Sequence, residues 1–312
     1  MKVTSKPTMQ LTFAELSERW KTAVVPTLKT STASYYLKLL RSNVVPAFGA
    51  WEVSRIGRYD VECFLAEQAN RYTRNSLRGM RVSLSQVLGW GVACEYLSKN
   101  PCSGVKLPQA GTRVIRTVLT PAQVIGISER LQEPYATLVL FLAVTGLRIG
   151  EAIGVKWSDF EGDVLHICRR VYEGQVDSTK TKGSNRHLPI PESLLSRMRT
   201  LGADGWIFRS REGTPINPGN ALKRYIRTVA DELGIALGGW HDFRHTLTPG
   251  LLRSHVSAKV VSNILGHSDV RVTLNTYCHT EVSDFRGPLH DIASQLLPDV
   301  MKSAFQSEPC TD

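Results

Sequence analysis

Residues 135–147, YATLVLFLAVTGL, are apolar on nearly every side when wound as a helix. A helix without a polar face cannot rest on a surface, so the chain has to close around it. It is also too short to cross a bilayer. The apolar run Ala136 to Val144 falls well below the roughly 20 residues a membrane span needs. The stretch therefore belongs in the core of a globular domain. The first ten residues, MKVTSKPTMQ, hold no apolar run, so no secretory signal is read. Six cysteines without a CxxC pair argue against a zinc knuckle or a disulfide framework, and a reducing cytoplasm is expected.

With 312 residues the chain has room for two domains. Periodicity disappears between Pro101 and Val118, where Pro108 and Gly111 stand, and residues 109–118 read as a linker. Residues 1–108 form the first domain, 119–300 the second, and 301–312 a tail. The first domain reads as helical. Thr12 and Glu15 have capping-box spacing ahead of an amphipathic stretch ending near Trp20. A second helix is expected from Ser31 to about Asn43, stopped by Pro46 and Gly49. Asp60 is placed to cap a third through Val61, Phe64 and Leu65, and a fourth spans Thr73 to Tyr96.

In the second domain Thr120-Pro121-Ala122-Gln123 opens a helix with a cap, a proline at the first position and a capping-box Gln. Candidate strands follow at Val164–Cys168, Arg170–Gln175 and Arg186–Ile190. Helices return after Pro191 and continue to about Phe305. The class is mainly α with a small antiparallel β-sheet in the second domain.

Charge is unevenly spread. The net charge is +10, but residues 1–110 hold 15 Lys and Arg against 7 Asp and Glu, whereas 111–312 hold 23 against 21. A basic half beside a nearly neutral one points to a polyanion partner. On the fourth helix Arg71, Arg74, Arg78 and Arg81 cluster at 100° per residue, beside an apolar side of Leu77, Met80, Leu84, Val87 and Leu88. On a lone helix such a stripe is usually a solvated charged face, but in a basic domain with no interleaved acid it reads better as a face that tracks phosphates.

Short polar motifs punctuate the second domain. TGLRIGE at 145–151 sets Arg148 after a buried helix, where it needs an anion or an acid such as Glu151. His241 and Arg244 share a helical face at i,i+3. His267 follows a Gly, and Tyr277 comes ten residues later. Singly, each is an ordinary core or boundary residue. His241 and His245 at i,i+4 lack the Glu that a metalloprotease pattern requires, and Asp159, Glu161 and Asp163 read as turn chemistry. No metal and no cofactor is expected.

The order of these segments resembles the tyrosine recombinase (phage integrase) family over almost the whole chain. The matching stretches are TGLRIGEAIGVKW at 145–157, TKTKGSNRHLPI at 179–190, HDFRHT at 241–246 and ILGHSDVRVTLNTYCH at 264–279. VVPAFG at 44–49 and NPCSGVKLP at 100–108 look, more loosely, like that family's core-binding domain. The resemblance implies the family's two-domain architecture and a site-specific recombinase that works through a 3′-phosphotyrosyl intermediate without metal or ATP. It implies Tyr277 as nucleophile, Arg148 and Arg244 on the phosphate, and His241 and His267 as hydrogen-bonding partners, with His241 the proton acceptor. By register Lys180 is the general acid, Lys182 competing from the same turn, and Glu151 supports Arg148. The expected partners are double-stranded DNA and, in synapsis, three further copies in a tetramer, with no membrane association. The helix Ile292 to Phe305 offers Leu296, Leu297, Val300 and Met301 to a neighbour or to its own domain.

Two departures stand out. Thr248-Pro249-Gly250 follows HDFRHT, and inside a helix Pro and Gly cost about 3 and 1 kcal/mol, so a kink or early break is expected after Arg244. The chain also starts directly with the core-binding pattern, which implies a simple system with short core sites. A type IB topoisomerase-like relaxing enzyme and a DNA-binding relative without activity remain as alternatives.

Overall fold

The structure, a computed structural model, describes residues 11–109, 118–178, 185–253 and 256–266. The chain divides into two compact units, Met1–Ile115 and Arg116–Asp312. The tail, the helix expected at 292–305 and most of the expected linker lie outside the described residues.

The first unit is helical: α1 (Phe13–Val24), α2 (Thr30–Leu39), α3 (Val45–Phe48), α4 (Arg58–Ala69) and α5 (Arg74–Ala93). Its start is set as expected. Glu15 N–H donates to Thr12 Oγ1 at 3.3 Å, and Thr12 N–H donates back to the Glu15 carboxylate at 2.9 Å. Phe13, Leu16 and Trp20 then face Val61, Leu65, Leu77, Met80 and Leu84 in one core. Each such burial is worth roughly 1.5–3 kcal/mol, which fixes how α5 lies in the unit.

Three expectations need correction here. Pro46 does not stop the second helix, which continues through a π turn (Leu40–Val44) to Phe48. In that turn the Val45 N–H reaches back five residues to the Leu40 carbonyl. The wider turn gives the proline ring the space an α turn denies. Asp60 is not the cap residue of α4 but its third residue, and its carboxylate accepts the Gly57 N–H from there at 2.8 Å. Finally α5 ends at Ala93, because Glu95 turns into the left-handed region at φ +62°.

The second unit closes around the apolar segment. α6 (Pro121–Arg130) opens with the Thr120–Gln123 capping box, and α7 (Tyr135–Thr145) follows with Leu138, Val139, Phe141 and Leu142 fully buried. After α8 (Ile149–Ala152) come β1 (Phe160–Glu161), β2 (Val164–Ile167), β3 (Arg169–Tyr172), β4 (Gln175–Ser178) and β5 (Arg186–Pro189). β1, β2 and β5 make an antiparallel sheet in that order; β3 and β4 make a separate hairpin. The single strand expected at Arg170–Gln175 is therefore two, because Glu173 and Gly174, at φ +48° and +76°, supply a two-residue turn.

The helices α9 (Glu192–Arg199), α10 (Pro218–Ala221), α11 (Arg227–Glu232), α12 (Trp240–Arg253) and α13 (Ala258–Leu265) follow among the described residues, with a π turn between α10 and α11. The early break expected after Arg244 is absent: α12 runs through 248–250 to Arg253. Phe243 and Arg244, buried against the core, fix the helix on the N-terminal side of the proline. Tertiary packing of this kind outweighs a local cost of about 3 kcal/mol.

Candidate active site

Two backbone turns set up the site. α7 ends at Gly146, whose φ of +62° is left-handed. A Cβ there would stand 2.7 Å from Leu265 Cδ2 and 2.9 Å from Leu247 Cδ2, so only glycine lets the chain turn beneath α12 and α13. The turn delivers Arg148 to the N-cap of α8. There its N–H donates to Glu151 Oε2 at 3.1 Å and its Nη1 to Oε1 at 2.9 Å, the ion pair expected from the spacing.

The second turn is the end of α13, closed by Gly266 at φ +64°. Helix ends leave their last carbonyls without partners and carry partial negative charge. Here three successive carbonyls each receive a guanidinium. Arg186 Nε donates to Ile264 O at 2.9 Å, Arg244 Nη2 to Leu265 O at 2.7 Å, and Arg148 Nη2 to Gly266 O at 3.2 Å. Arg244 Nη1 also donates to Gly146 O at 2.5 Å. Arg186 Nη2 completes the cluster with a bond to Glu151 Oε2 at 3.1 Å.

Three cations thus surround one carboxylate. Burial works to raise the Glu151 pKa, but Arg186 and then Arg148 outweigh it and hold the carboxyl below its ordinary value. Among the described residues, the Arg244 guanidinium bonds to main-chain carbonyls and forms no ion pair. Burial first, then the charge of Arg148, lower its pKa to about 9, with Glu151 opposing and Arg186 adding to the fall. It stays charged at neutral pH, and an added anion would relieve it. Arg244 is 4% exposed, whereas the Arg148 side chain is 39% exposed and forms the open edge. Such an edge suits a tetrahedral oxyanion.

His241 is exposed on the first turn of α12, three residues before Arg244, with its ring centroid 6.3 Å from that of His245. Asp242 anchors this turn by accepting the Gly238 and Gly239 N–H groups at 2.7 and 3.2 Å. Lys180, Lys182, His267 and Tyr277 lie outside the described residues. Among the described residues no group of three His, Cys, Asp or Glu is placed to hold a metal ion. Asp159 instead accepts the Lys156 N–H at 2.8 Å and pairs with Arg169.

Arg186 is the residue that spacing did not reveal. Its one sequence signal is phase. In RHLPI, Arg186 alternates with Leu188 and Ile190, which are buried, so period two puts it on the inner face. In the first unit the cationic stripe is less uniform than periodicity suggests. Arg71 precedes α5 and lies off the helix, while Arg74 and Arg78 are exposed on it. Arg81 is half-buried, and its Nη1 donates to the Val105 carbonyl at 2.6 Å.

Among the described residues no helix is long and apolar enough to cross a membrane. Residues 13–107 match the phage integrase central domain, and residues 117–283 match the phage integrase family. A tyrosine recombinase XerC-like protein of Caldanaerobacter subterraneus subsp. tengcongensis is 30% identical over 243 residues, 65% of this chain; the chain spans 62% of that relative's length. The fold is that of the Tn1549 transposon integrase solved with a circular intermediate DNA, with a TM-score of 0.73 at 19% identity over 91% of this chain and 100% of that one. It is also similar to the lambda integrase in a tetramer bound to a Holliday junction, with a TM-score of 0.69 at 18% identity over 88% of this chain and 80% of that one. Since the family match alone spans more than half of its residues, the chain belongs to the phage integrase family, the tyrosine recombinases.

Proposed function

We propose that this chain is a site-specific DNA recombinase that cuts and rejoins strands through a 3′-phosphotyrosyl intermediate. The observation that carries the reading is the arginine cluster, in which a buried Arg244 and a partly open Arg148 converge on one helix end and leave a cationic edge open to an anion. A phosphodiester supplies that anion, and its pentacoordinate transition state supplies more charge. Tyr277 Oη attacks phosphorus, His241 takes its proton, and the P–O5′ bond breaks. Lys180 protonates the leaving 5′ oxygen, while His267 hydrogen-bonds the phosphate. Energy stays in the phosphotyrosine, so a 5′-hydroxyl reseals the strand with neither ATP nor metal. Strand exchange calls for two sites and a tetramer of this chain, and family membership together with the tetrameric neighbour supports that assembly.

The test is adduct trapping on nicked suicide fragments from DNA flanking the gene, with EDTA present. Wild type is expected to form an SDS-resistant adduct and Tyr277→Phe none. Tight DNA binding without an adduct from wild type would sink the enzymatic reading. Sequence-independent relaxation of supercoiled plasmid would mark a topoisomerase instead.

For the first domain, residues 1–108, we propose a role as the phosphate clamp, with Arg71, Arg74 and Arg78 facing the duplex. DNA affinity is then expected to fall steeply with salt. Arg74→Ala and Arg78→Ala are each expected to reduce the salt slope by about 1. Arg81 is set apart because its guanidinium holds the Val105 carbonyl. Binding isotherms over a salt series check this, and an unchanged slope in both variants would exclude those two contacts.

A further inference from the structure

Arg186 is the first residue of β5, directly after the segment that carries Lys180 and Lys182. Its side chain is 9% exposed, so a guanidinium has been taken out of water and needs well-placed partners. Two of its bonds reach different parts of the site. Nη2 reaches Glu151 Oε2 at 3.1 Å, on the carboxylate that grips Arg148, and Nε reaches Ile264 O at 2.9 Å, three residues before His267. One planar group therefore ties together the strand following the lysine segment, the carboxylate behind Arg148 and the helix end leading to His267. The approach is close: a Cβ on Gly266 would stand 2.5 Å from Arg186 Nη1.

From this geometry we propose that Arg186 is a positioning residue for strand cleavage. It acts through Glu151 and through the α13 terminus, and does not itself touch the phosphate. The inference rests on the recombinase reading above. Without Arg186, Glu151 loses one of its two guanidinium partners and the Ile264 carbonyl loses the Nε–H donor. The Arg148 fork and the approach to His267 then lose their shared reference point. A lysine at 186 keeps the charge, but a single ammonium cannot present two divergent N–H groups in one plane. Errors of this kind, below an ångström, cost rate more than binding.

The experiment measures single-turnover adduct formation by the full-length chain on a suicide substrate at saturating DNA. Rate constant and amplitude are recorded separately, alongside the DNA Kd and Tm. Arg186→Gln is expected to slow the rate constant at least 30-fold, with most of the amplitude kept and Kd within about threefold of wild type. Arg186→Lys is expected to fall between the two, about tenfold below wild type. A purely structural role would lower Tm and amplitude and leave the rate constant of the folded fraction alone; that pattern overturns the proposal. If Arg186→Gln does not fold, Arg186→Lys decides: a wild-type rate constant overturns the proposal and a tenfold fall supports it. An adduct from wild type with unaffected variants refutes this inference alone. No adduct from wild type refutes the recombinase reading and this inference with it.

Discussion

Replacing Arg244 with alanine is expected to slow covalent adduct formation about 10³-fold at saturating DNA, the upper end of what removing one preorganised donor costs. Arg244 is 4% exposed, and its guanidinium spans the Gly146 and Leu265 carbonyls at 2.5 and 2.7 Å. The fork is thus held in place by the protein's own main chain. Arg244→Lys keeps the charge but loses the fork, and is expected to stay about 10²-fold below wild type. Stability should respond far less. Truncation leaves two carbonyls without their donor, about 1–3 kcal/mol each, but removes a buried cation whose pKa burial has lowered to about 9. These effects oppose one another, so Tm should move by only a few degrees. A single-turnover rate within tenfold of wild type in a folded Arg244→Ala protein would exclude this role.

The largest loss of stability is expected from Glu151→Gln. The Glu151 side chain is 6% exposed and ion-paired with Arg148 and Arg186 at 2.9 and 3.1 Å. Neutralising it leaves both cations without this partner, a change that typically costs about 3–5 kcal/mol. Tm should fall on the order of 10 °C at neutral pH. The effect has a defined pH dependence. Burial acts to raise the Glu151 pKa, Arg186 and Arg148 act against it, and the folded value lies below the ordinary 4.5. The carboxylate therefore contributes its full stabilisation above that ordinary value and loses it as pH falls through the folded one. The Tm gap between wild type and Glu151→Gln should be widest at neutral pH and close on acidification. Thermal melts from neutral to acid pH decide it; equal Tm values at neutral pH would refute the expectation.

What was legible in the sequence was mostly local. The capping boxes at Thr12 and Thr120 need only four consecutive residues, and the enclosed α7 needs only composition. The Arg148–Glu151 pair was readable because both partners lie within one turn. Arg186 was not, since its partners Glu151 and Ile264 stand 35 and 78 positions away and no spacing rule connects them. The π turn before Pro46 and the passage of α12 through Pro249 escaped for the opposite reason. A local signal was present there and was overruled by packing. The hairpin at Glu173-Gly174 was hidden by a run of strand-forming residues on both sides of a turn that a non-glycine residue begins.

The helix end at 264–266 also bears on how such a site can drift while still working. All three arginines grasp main-chain oxygens there, and every residue type supplies the same oxygen. The identities of Ile264 and Leu265 are thus irrelevant to the grip itself and answer only to the core beside them. Gly266 has no such latitude, held by its left-handed backbone and by the guanidinium of Arg186 against the space a side chain would need. The arginine grip itself therefore depends on three guanidinium groups, one carboxylate and two glycines, while Ile264 and Leu265 are constrained only by the packing around them.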